Sequence, residues 1–162
     1  MNSLLRQSPW SAFVLAYRLL WTCTAIVLSP ATQAQAQVHT ASSGDYTLRA
    51  STVAAGNLPE AMRRLHGIST DPRTAVINVT VELKGSTAKS NVAADLKVEA
   101  RNLYGIKTEV AMREVAANGQ LSYLGVYDFL PREVLDFTVV AQPNGARSEL
   151  RLQFRDRLIE PR

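Results

Sequence analysis

Apolar and polar residues alternate along most of the chain that follows its first forty residues. The clearest alternation runs from Thr74 to Ala100, in two segments that the Gly/Ser/Lys-containing break Lys84–Ser90 separates. Successive side chains of a β-strand point to opposite faces, so each segment predicts a strand with one apolar and one polar face. The short break predicts that these two strands pair antiparallel and bury their apolar side on another layer.

Similar segments lie on both sides of this central pair. They are Tyr46–Val53, Ile106–Val115, Leu121–Phe129, Leu135–Val139 and Leu150–Phe154. Turn-forming sequences separate several of them, notably Asn118-Gly119 and Pro143-Asn144-Gly145. About seven short strands at this spacing predict an all-β domain, an immunoglobulin-like antiparallel β-sandwich.

One segment, Leu58–His66, is predicted to be a short helix. Asn57 is a suitable N-terminal cap, and Gly67 can adopt the left-handed conformation that ends a helix. Glu60 precedes Arg64 by four residues, the favourable order for an ion pair on a helix. Such a short helix is only marginally stable by itself, and we therefore expect its apolar side to dock on a sheet. That side consists of Ala61, Met62, Leu65 and Ile68.

Residues 1–36 have the pattern of a cleavable signal peptide. Arg6 and Arg18 make a basic start without acidic residues, and the apolar run Leu19–Leu28 follows. Small residues at Ala34 and Ala36 then predict cleavage after one of the two, with Ala36 preferred. The apolar run is also shorter than the roughly 20 residues that span a membrane.

Two alternatives to cleavage are less consistent with the sequence. An uncleaved anchor would use Phe13–Leu28 as one span, but Arg18 lies in the middle of it. Lipidation of Cys23 would require small residues before it, whereas Trp21 and Thr22 precede it. We therefore predict an exported, periplasmic chain whose mature form has no cysteine and no membrane span.

The mature chain is predicted to be one domain. Residues 37–44 are rich in Ala, Ser and Thr and lack periodicity, which predicts a flexible tail before a single β-sandwich at 45–160. The full sequence has 18 Lys and Arg against 14 Asp and Glu. Two arginines leave with the signal peptide, so the remaining charge is nearly balanced. This balance argues against nucleic acid as a partner.

Residues that could carry catalysis or bind a metal are sparse. His39 lies in the predicted tail, and His66 ends the predicted helix, where it faces the negative end of the helix dipole. His66 with Asp71 could instead form a base and its orienting group. Two acidic pairs, Glu109 with Glu114 and Asp128 with Glu133, could act as general acid and base, but solvated surface carboxylates are the commoner case. The sequence therefore predicts no catalytic residues, metal ligands or cofactor.

Cations on the last predicted strand form the best candidate binding surface. Arg147, Arg151, Arg155 and Arg157 fall on one face, with Glu149 interrupting them. Such a stripe could bind an acidic protein or envelope component, although charged residues also protect sheet edges from aggregation. As an alternative, Tyr104, Tyr123 and Tyr127 could line a sugar site by stacking, although Tyr123 and Tyr127 share a strand face and such residues are more often in the core.

Several of these segments, taken in order, resemble a known family. They are Leu58-Pro59-Glu60 with Gly67-Ile68, Ile77 to Val81, Asn102 to Gly105, Arg113-Glu114-Val115, Tyr123 to Phe129, Phe137, Gln142 to Gly145, and Phe154. From Tyr46 to about Leu158 the chain resembles the DUF4426 family of small exported bacterial proteins of unknown function. The resemblance implies export and an immunoglobulin-like sandwich, and it supplies no catalytic residues.

These observations favour a non-catalytic periplasmic module that binds a protein or an envelope component. Binding is expected at the arginine stripe or at an exposed sheet edge, which could pair with a peptide strand. The alternative is a hydrolase or carbohydrate-active enzyme with an unfamiliar site. The ligand and the oligomeric state stay open.

Overall fold

The computed structural model describes residues 37–85, 91–117, 119–130 and 132–157. The predicted signal peptide, with Cys23 and both cleavage positions, lies outside these residues. So do the last residues of the predicted domain, from 158 onward. Within the described part of the chain, no helix is long and apolar enough to cross a membrane.

In the described part of the chain, nine strands, all paired antiparallel, form two sheets. They are β1 (Val38–Ser43), β2 (Tyr46–Ala54), β3 (Thr74–Leu83), β4 (Ala94–Asn102), β5 (Lys107–Val110), β6 (Met112–Ala117), β7 (Gln120–Asp128), β8 (Val134–Pro143) and β9 (Leu150–Arg157). One sheet has the order β1-β2-β3-β7-β6 and the other the order β5-β4-β8-β9. A short 3-10 turn (Ala55–Asn57) and one helix, α1 (Glu60–His66), connect β2 to β3. The predicted all-β antiparallel sandwich with one short helix is confirmed, with nine strands instead of about seven.

The two central strands do not pair with each other, which corrects the prediction of a hairpin. β3 pairs with β2 and β7, whereas β4 pairs with β5 and β8 in the other sheet. Among the described residues on either side of the break, an isolated bridge joins Glu82 to Asn91. Both strands bury their alternating apolar residues in the same interior, but they do so from opposite sides. Alternation alone cannot distinguish these two arrangements.

Part of the predicted tail is a strand. β1 pairs with β2 through a tight turn at Gly44, with Ser43 opposite Tyr46 and Val38 opposite Ser51. Its side chains alternate weakly, since only His39 and Ala41 are partly covered. The prediction of a flexible tail is therefore wrong for these residues. Pairing with β2 orders a sequence that has little apolar content of its own.

The predicted strand Ile106–Val115 is divided between the two sheets. β5 extends the four-stranded sheet and β6 extends the five-stranded sheet, with the break at Ala111. Val110 and Met112 both point inward, the former fully buried and the latter partly. Ile106, the first residue of the predicted strand, lies before β5 and is 62% exposed.

Helix α1 ends as predicted but docks differently. Gly67 has φ 60° and its N–H reaches the carbonyls of the last turn, while Arg64 pairs with Glu60 at 3.5 Å. Its N-terminal cap is Pro59 rather than Asn57. Met62 and Leu65 are 46% and 79% exposed and Ala61 is exposed too, so the predicted docking is wrong for these three residues and correct for Ile68. The segment docks instead through flanking residues. Ala55, Leu58 and Ile68 form a small cluster with Val76 and neighbouring side chains of the five-stranded sheet.

The main core lies between the sheets and contains a continuous row of rings. Phe137, 1% exposed, contacts Tyr127 edge-on at 5.3 Å between ring centroids and stacks on Phe154 at 5.0 Å. Phe154 in turn stacks on His39 at 4.2 Å. These contacts join β7, β8, β9 and β1. The expectation that Tyr123 and Tyr127 belong to the core is confirmed, since each is 7% exposed.

Candidate binding surface

The outer face of the four-stranded sheet places polar side chains in rows that cross the strands. The row nearest the β4–β5 turn contains Lys107, Arg101, Asp136 and Arg155. The next row contains Glu109, Glu99, Thr138 and Gln153. The third contains Lys97, Val140 and Arg151. All of these residues except Glu109 line a shallow depression of about 850 Å³.

Most charges in the first two rows have partners. Arg155 forms a two-point contact with Asp136, with Nε to Oδ1 at 2.7 Å and Nη2 to Oδ2 at 3.1 Å. The hydrogen bond from Arg155 is the main reason that the pKa of Asp136 lies below its ordinary range. Arg101 approaches the same carboxylate at 3.7 Å, and Lys107 pairs with Glu99 at 3.0 Å. These exposed pairs hold the cations in place and add little stability.

The third row differs because its cations lack carboxylate partners. Among the described residues, Lys97 and Arg151 form no ion pair, and both are exposed on either side of Val140. Their strands lie two positions apart, so about 10 Å separates the two backbones. We call Lys97, Val140 and Arg151 the Lys97–Arg151 row. Two cations flanking an apolar residue can contact one acidic group each, or share a larger one.

The structure redistributes the four predicted arginines. Arg151 lies in the Lys97–Arg151 row, while Arg155 is held by Asp136. Arg157 is opposite Val134 at the end of β9, and Arg147 lies in the turn before β9. The four therefore do not make one continuous stripe. Sequence reasoning missed Lys97, because its approach to Arg151 requires knowing that β8 lies between β4 and β9.

The two predicted acidic pairs differ in whether their members lie close together. Glu109 is opposite Glu99, and Glu114 accepts a hydrogen bond from the Tyr123 hydroxyl at 3.4 Å, so these two do not meet. Asp128 and Glu133 do border one small depression of about 250 Å³. Each is engaged locally, however. Asp128 accepts a hydrogen bond from the Thr74 hydroxyl at 3.4 Å, and Glu133 accepts one from the Leu130 N–H at 2.8 Å.

The histidines are not brought together. The His66 carbonyl accepts a hydrogen bond from Arg113, and Asp71 pairs with Arg73 at 3.7 Å rather than with His66. His39 lies on Phe154 in β1. Within the described ranges, no group of three or more His, Cys, Asp or Glu side chains is arranged to hold a metal.

Buried polar groups gather at one place inside the sandwich. Thr52 is buried and donates its hydroxyl to Asp156, which points inward from the end of β9. The Tyr127 hydroxyl is buried nearby without a hydrogen-bond partner among the described residues. Burial, and secondarily the charge of Asp156, raise the pKa of this hydroxyl far above its ordinary value.

This raised pKa predicts a loss of stability in alkali. Above about pH 10 the tyrosine of the unfolded chain ionises while Tyr127 in the folded protein stays protonated, so the unfolded state gains stability. We expect the free energy of unfolding to fall as the pH rises through this range, and Tyr127→Phe to reduce the slope. Urea titrations at a series of pH values measure it. The exposed Tyr104→Phe is the control, and an unchanged slope in Tyr127→Phe would contradict the assignment. Burial also raises the pKa of Tyr123, so part of the slope should persist.

The two facing sheets and the charged outer surface define an antiparallel β-sandwich with a partly ion-paired sheet face. The chain belongs to the DUF4426 family, a domain of unknown function, whose family model matches residues 40–160. No curated protein matches it.

Two solved structures are similar to the chain. A DUF4426 family protein from Pseudomonas aeruginosa PAO1 superposes with a TM-score of 0.66 at 21% identity, covering 77% of this chain and 97% of its own. FetP from uropathogenic E. coli strain F11, which was recombinantly expressed in the periplasm of E. coli, gives 0.55 at 10% identity. That match covers 79% of this chain and 99% of FetP. At these identities the likeness establishes the fold and leaves function to the site.

Proposed function

We propose that this protein is a non-catalytic binding module of the periplasm, and that the Lys97–Arg151 row contacts acidic groups of a protein or envelope partner. The observation that carries the proposal is the contrast between neighbouring rows. Asp136 and Glu99 engage the cations nearest the β4–β5 turn, whereas Lys97 and Arg151 have no carboxylate partner among the described residues. Exposed cations that a protein does not pair internally are available to a ligand.

The surroundings of the row suit an extended acidic ligand. Val140 gives an apolar floor between the two cations, and Thr138 and Gln153 supply hydrogen-bonding groups in the adjacent row. A ligand lying across β4, β8 and β9 would meet all of these groups in one shallow depression. Arg155 is less available, because its guanidinium is held at two points by Asp136.

The signal-peptide pattern at 1–36 supports export, and the similarity to FetP is consistent with a periplasmic fold. Lys and Arg in a row of this kind attract acidic groups over a range of about 10 Å at moderate salt. The proposal therefore includes a specific property, which is that binding weakens as the salt concentration rises.

Charge reversal of the row tests the proposal. We expect Lys97→Glu with Arg151→Glu to lower the affinity for a fluorescent oligo-glutamate peptide by about tenfold or more, since each contact between charged groups is worth more than a neutral hydrogen bond. Fluorescence anisotropy measures this affinity. The same double variant should capture fewer partners from envelope extracts in a pull-down with the mature domain.

The control changes the net charge equally on the other side of the molecule. Arg49→Glu with Arg64→Glu alters two surface cations that are ion-paired away from the row. If this control lost as much affinity as the row variant, net charge alone would explain binding and the proposal would fail. Unchanged binding by the row variant would also exclude it.

The enzyme alternative stays a prediction without an observation that favours it. Its strongest candidate group is the cluster of Thr52, Tyr127 and Asp156, in which Thr52 and Tyr127 are buried and Asp156 is partly exposed. Turnover of chromogenic esters or glycosides, lost in Asp156→Asn, would establish this alternative in place of the binding module.

A further inference from the structure

We infer that the β4–β5 turn is a docking tip for an anionic phospholipid surface. This inference goes beyond the proposed function, because it concerns one end of the sandwich rather than the Lys97–Arg151 row. Three apolar side chains of this four-residue turn face solvent. Leu103 is 68% exposed, Tyr104 is 91% exposed and Ile106 is 62% exposed. We call Leu103, Tyr104 and Ile106 the apolar tip.

The turn is held in shape by its own hydrogen bonds. The Asn102 side-chain oxygen accepts the N–H groups of Tyr104 and Ile106, at 3.1 and 3.0 Å. The Asn102 N–H donates to the Ile106 carbonyl, and the Gly105 N–H donates to the Asn102 carbonyl, each at 3.0 Å. Gly105 has φ 82°, a conformation that suits glycine and keeps the turn tight. The exposed side chains are therefore presented by an ordered backbone.

This hydrogen bonding lowers the cost of moving the turn from water into the lipid headgroup region. An N–H group that enters an apolar medium without a hydrogen-bond partner carries a free-energy cost that can cancel the gain from burying one side chain. The N–H groups of Tyr104, Gly105 and Ile106 already have partners within the turn. The tip can leave water while keeping those bonds. Tyrosine with aliphatic neighbours is also the composition found where proteins meet the interface of a bilayer.

The charges behind the tip match an anionic surface. Arg132 and Arg157 lie at this end, in the β7–β8 loop and at the end of β9 beside Val134, and neither forms an ion pair among the described residues. Arg101 and Lys107 are opposite each other at the base of the turn, where exposed contacts with Asp136 and Glu99 engage them. Cations set back from an apolar tip can reach lipid phosphates when the tip enters the headgroup layer.

The small area of the tip argues against a protein as its main binding partner. A stable protein interface buries about 800 Å² on each partner. Three side chains on a turn offer much less, and the depression beside them is lined mainly by charged and polar side chains, which do not extend the apolar surface. A few apolar side chains with a basic surround instead give weak, reversible membrane association.

Vesicle binding tests the inference. The mature domain is mixed with phosphatidylcholine vesicles that contain or lack phosphatidylglycerol, and bound protein is measured by sedimentation. We expect binding to the anionic vesicles that salt weakens. Leu103→Ser with Tyr104→Ser should lower that binding about tenfold or more, because two side chains no longer enter the interface.

Met62→Ser with Leu65→Ser is the matched control, because it makes the same type of change at two exposed positions of α1. We expect it to bind as the unchanged domain does. Equal loss in this control would overturn the inference, and so would absence of binding to anionic vesicles or binding that the tip variant leaves intact. Light scattering adds one more outcome. If the tip variant abolished self-association instead, the occupant would be a second copy and the lipid inference would be wrong.

The two proposals fail independently. The row variant, Lys97→Glu with Arg151→Glu, should lose the acidic peptide and keep most vesicle binding. The tip variant should show the reverse. Both substituted positions of the tip are exposed, so circular dichroism and the melting temperature should match those of the unchanged domain.

Discussion

Phe137→Ala is expected to lower the free energy of unfolding by about 3–5 kcal/mol, the range for removing a fully buried aromatic side chain. Phe137 is the largest side chain that the core encloses almost completely. Its ring touches Tyr127 on one side and Phe154 on the other, so truncation leaves a void between the sheets. Urea unfolding followed by tyrosine fluorescence or circular dichroism measures the change.

Two further variants separate packing from other effects at this site. Phe137→Leu refills part of the void and should cost clearly less than Phe137→Ala. Thr138→Ala changes the next residue, whose side chain lies on the outer face, and should change stability by less than about 1 kcal/mol. A loss in Phe137→Ala no greater than that in Thr138→Ala would contradict the assignment of Phe137 to the centre of the core.

Gly125→Val is expected to destabilise the protein by about 3 kcal/mol, through overpacking rather than through backbone strain. A Cβ atom at Gly125 would lie 2.5 Å from Met112 Sδ, 2.7 Å from Val110 Cγ1 and 3.0 Å from Ile77 Cγ2. Gly125 pairs with Ile77 on β3 and with Met112 on β6, so neighbouring backbones hold it in place. Differential scanning calorimetry should show a markedly lower melting temperature.

The source of this cost can be identified by a double substitution. Gly125→Ala should cost about 1–3 kcal/mol, and Val110→Ala should cost a similar amount by leaving a cavity. Together they should cost less than the sum, because the new methyl group occupies the space that Val110 vacates. Strictly additive losses would show that the close contact with Val110 is not the cause.

How far the sequence determines this structure can be followed through individual residues. Period-two alternation located most strands, and it correctly assigned Leu150, Leu152 and Phe154 to the interior. The turn at Pro143-Asn144-Gly145 was also predicted, and Gly145 has the positive φ that such a turn requires. These features depend on local geometry, which a short segment carries by itself.

Pairing between strands was harder to predict, because it depends on residues far apart in the chain. β3 and β4 have equally clear patterns, yet their partners are distant strands rather than each other. The same limit applied to the candidate surface. Arg151 was recognised, but the pairing of Arg155 with Asp136 and the proximity of Lys97 follow from strand order. The exposure of the apolar tip likewise depends on Ile106 lying outside β5, which the alternation of residues does not indicate.

The division of one chain segment between β5 and β6, together with the ring contacts from Tyr127 to His39, has a consequence for how the domain melts. Neither sheet has a complete hydrophobic core of its own, because the apolar face of each sheet is covered by side chains of the other. Partial denaturation would expose apolar surface on whichever half survived, so the two halves lose their structure in one concerted transition. Assembly must likewise await encounters between segments remote in sequence, which places this domain among the slower folders of its length.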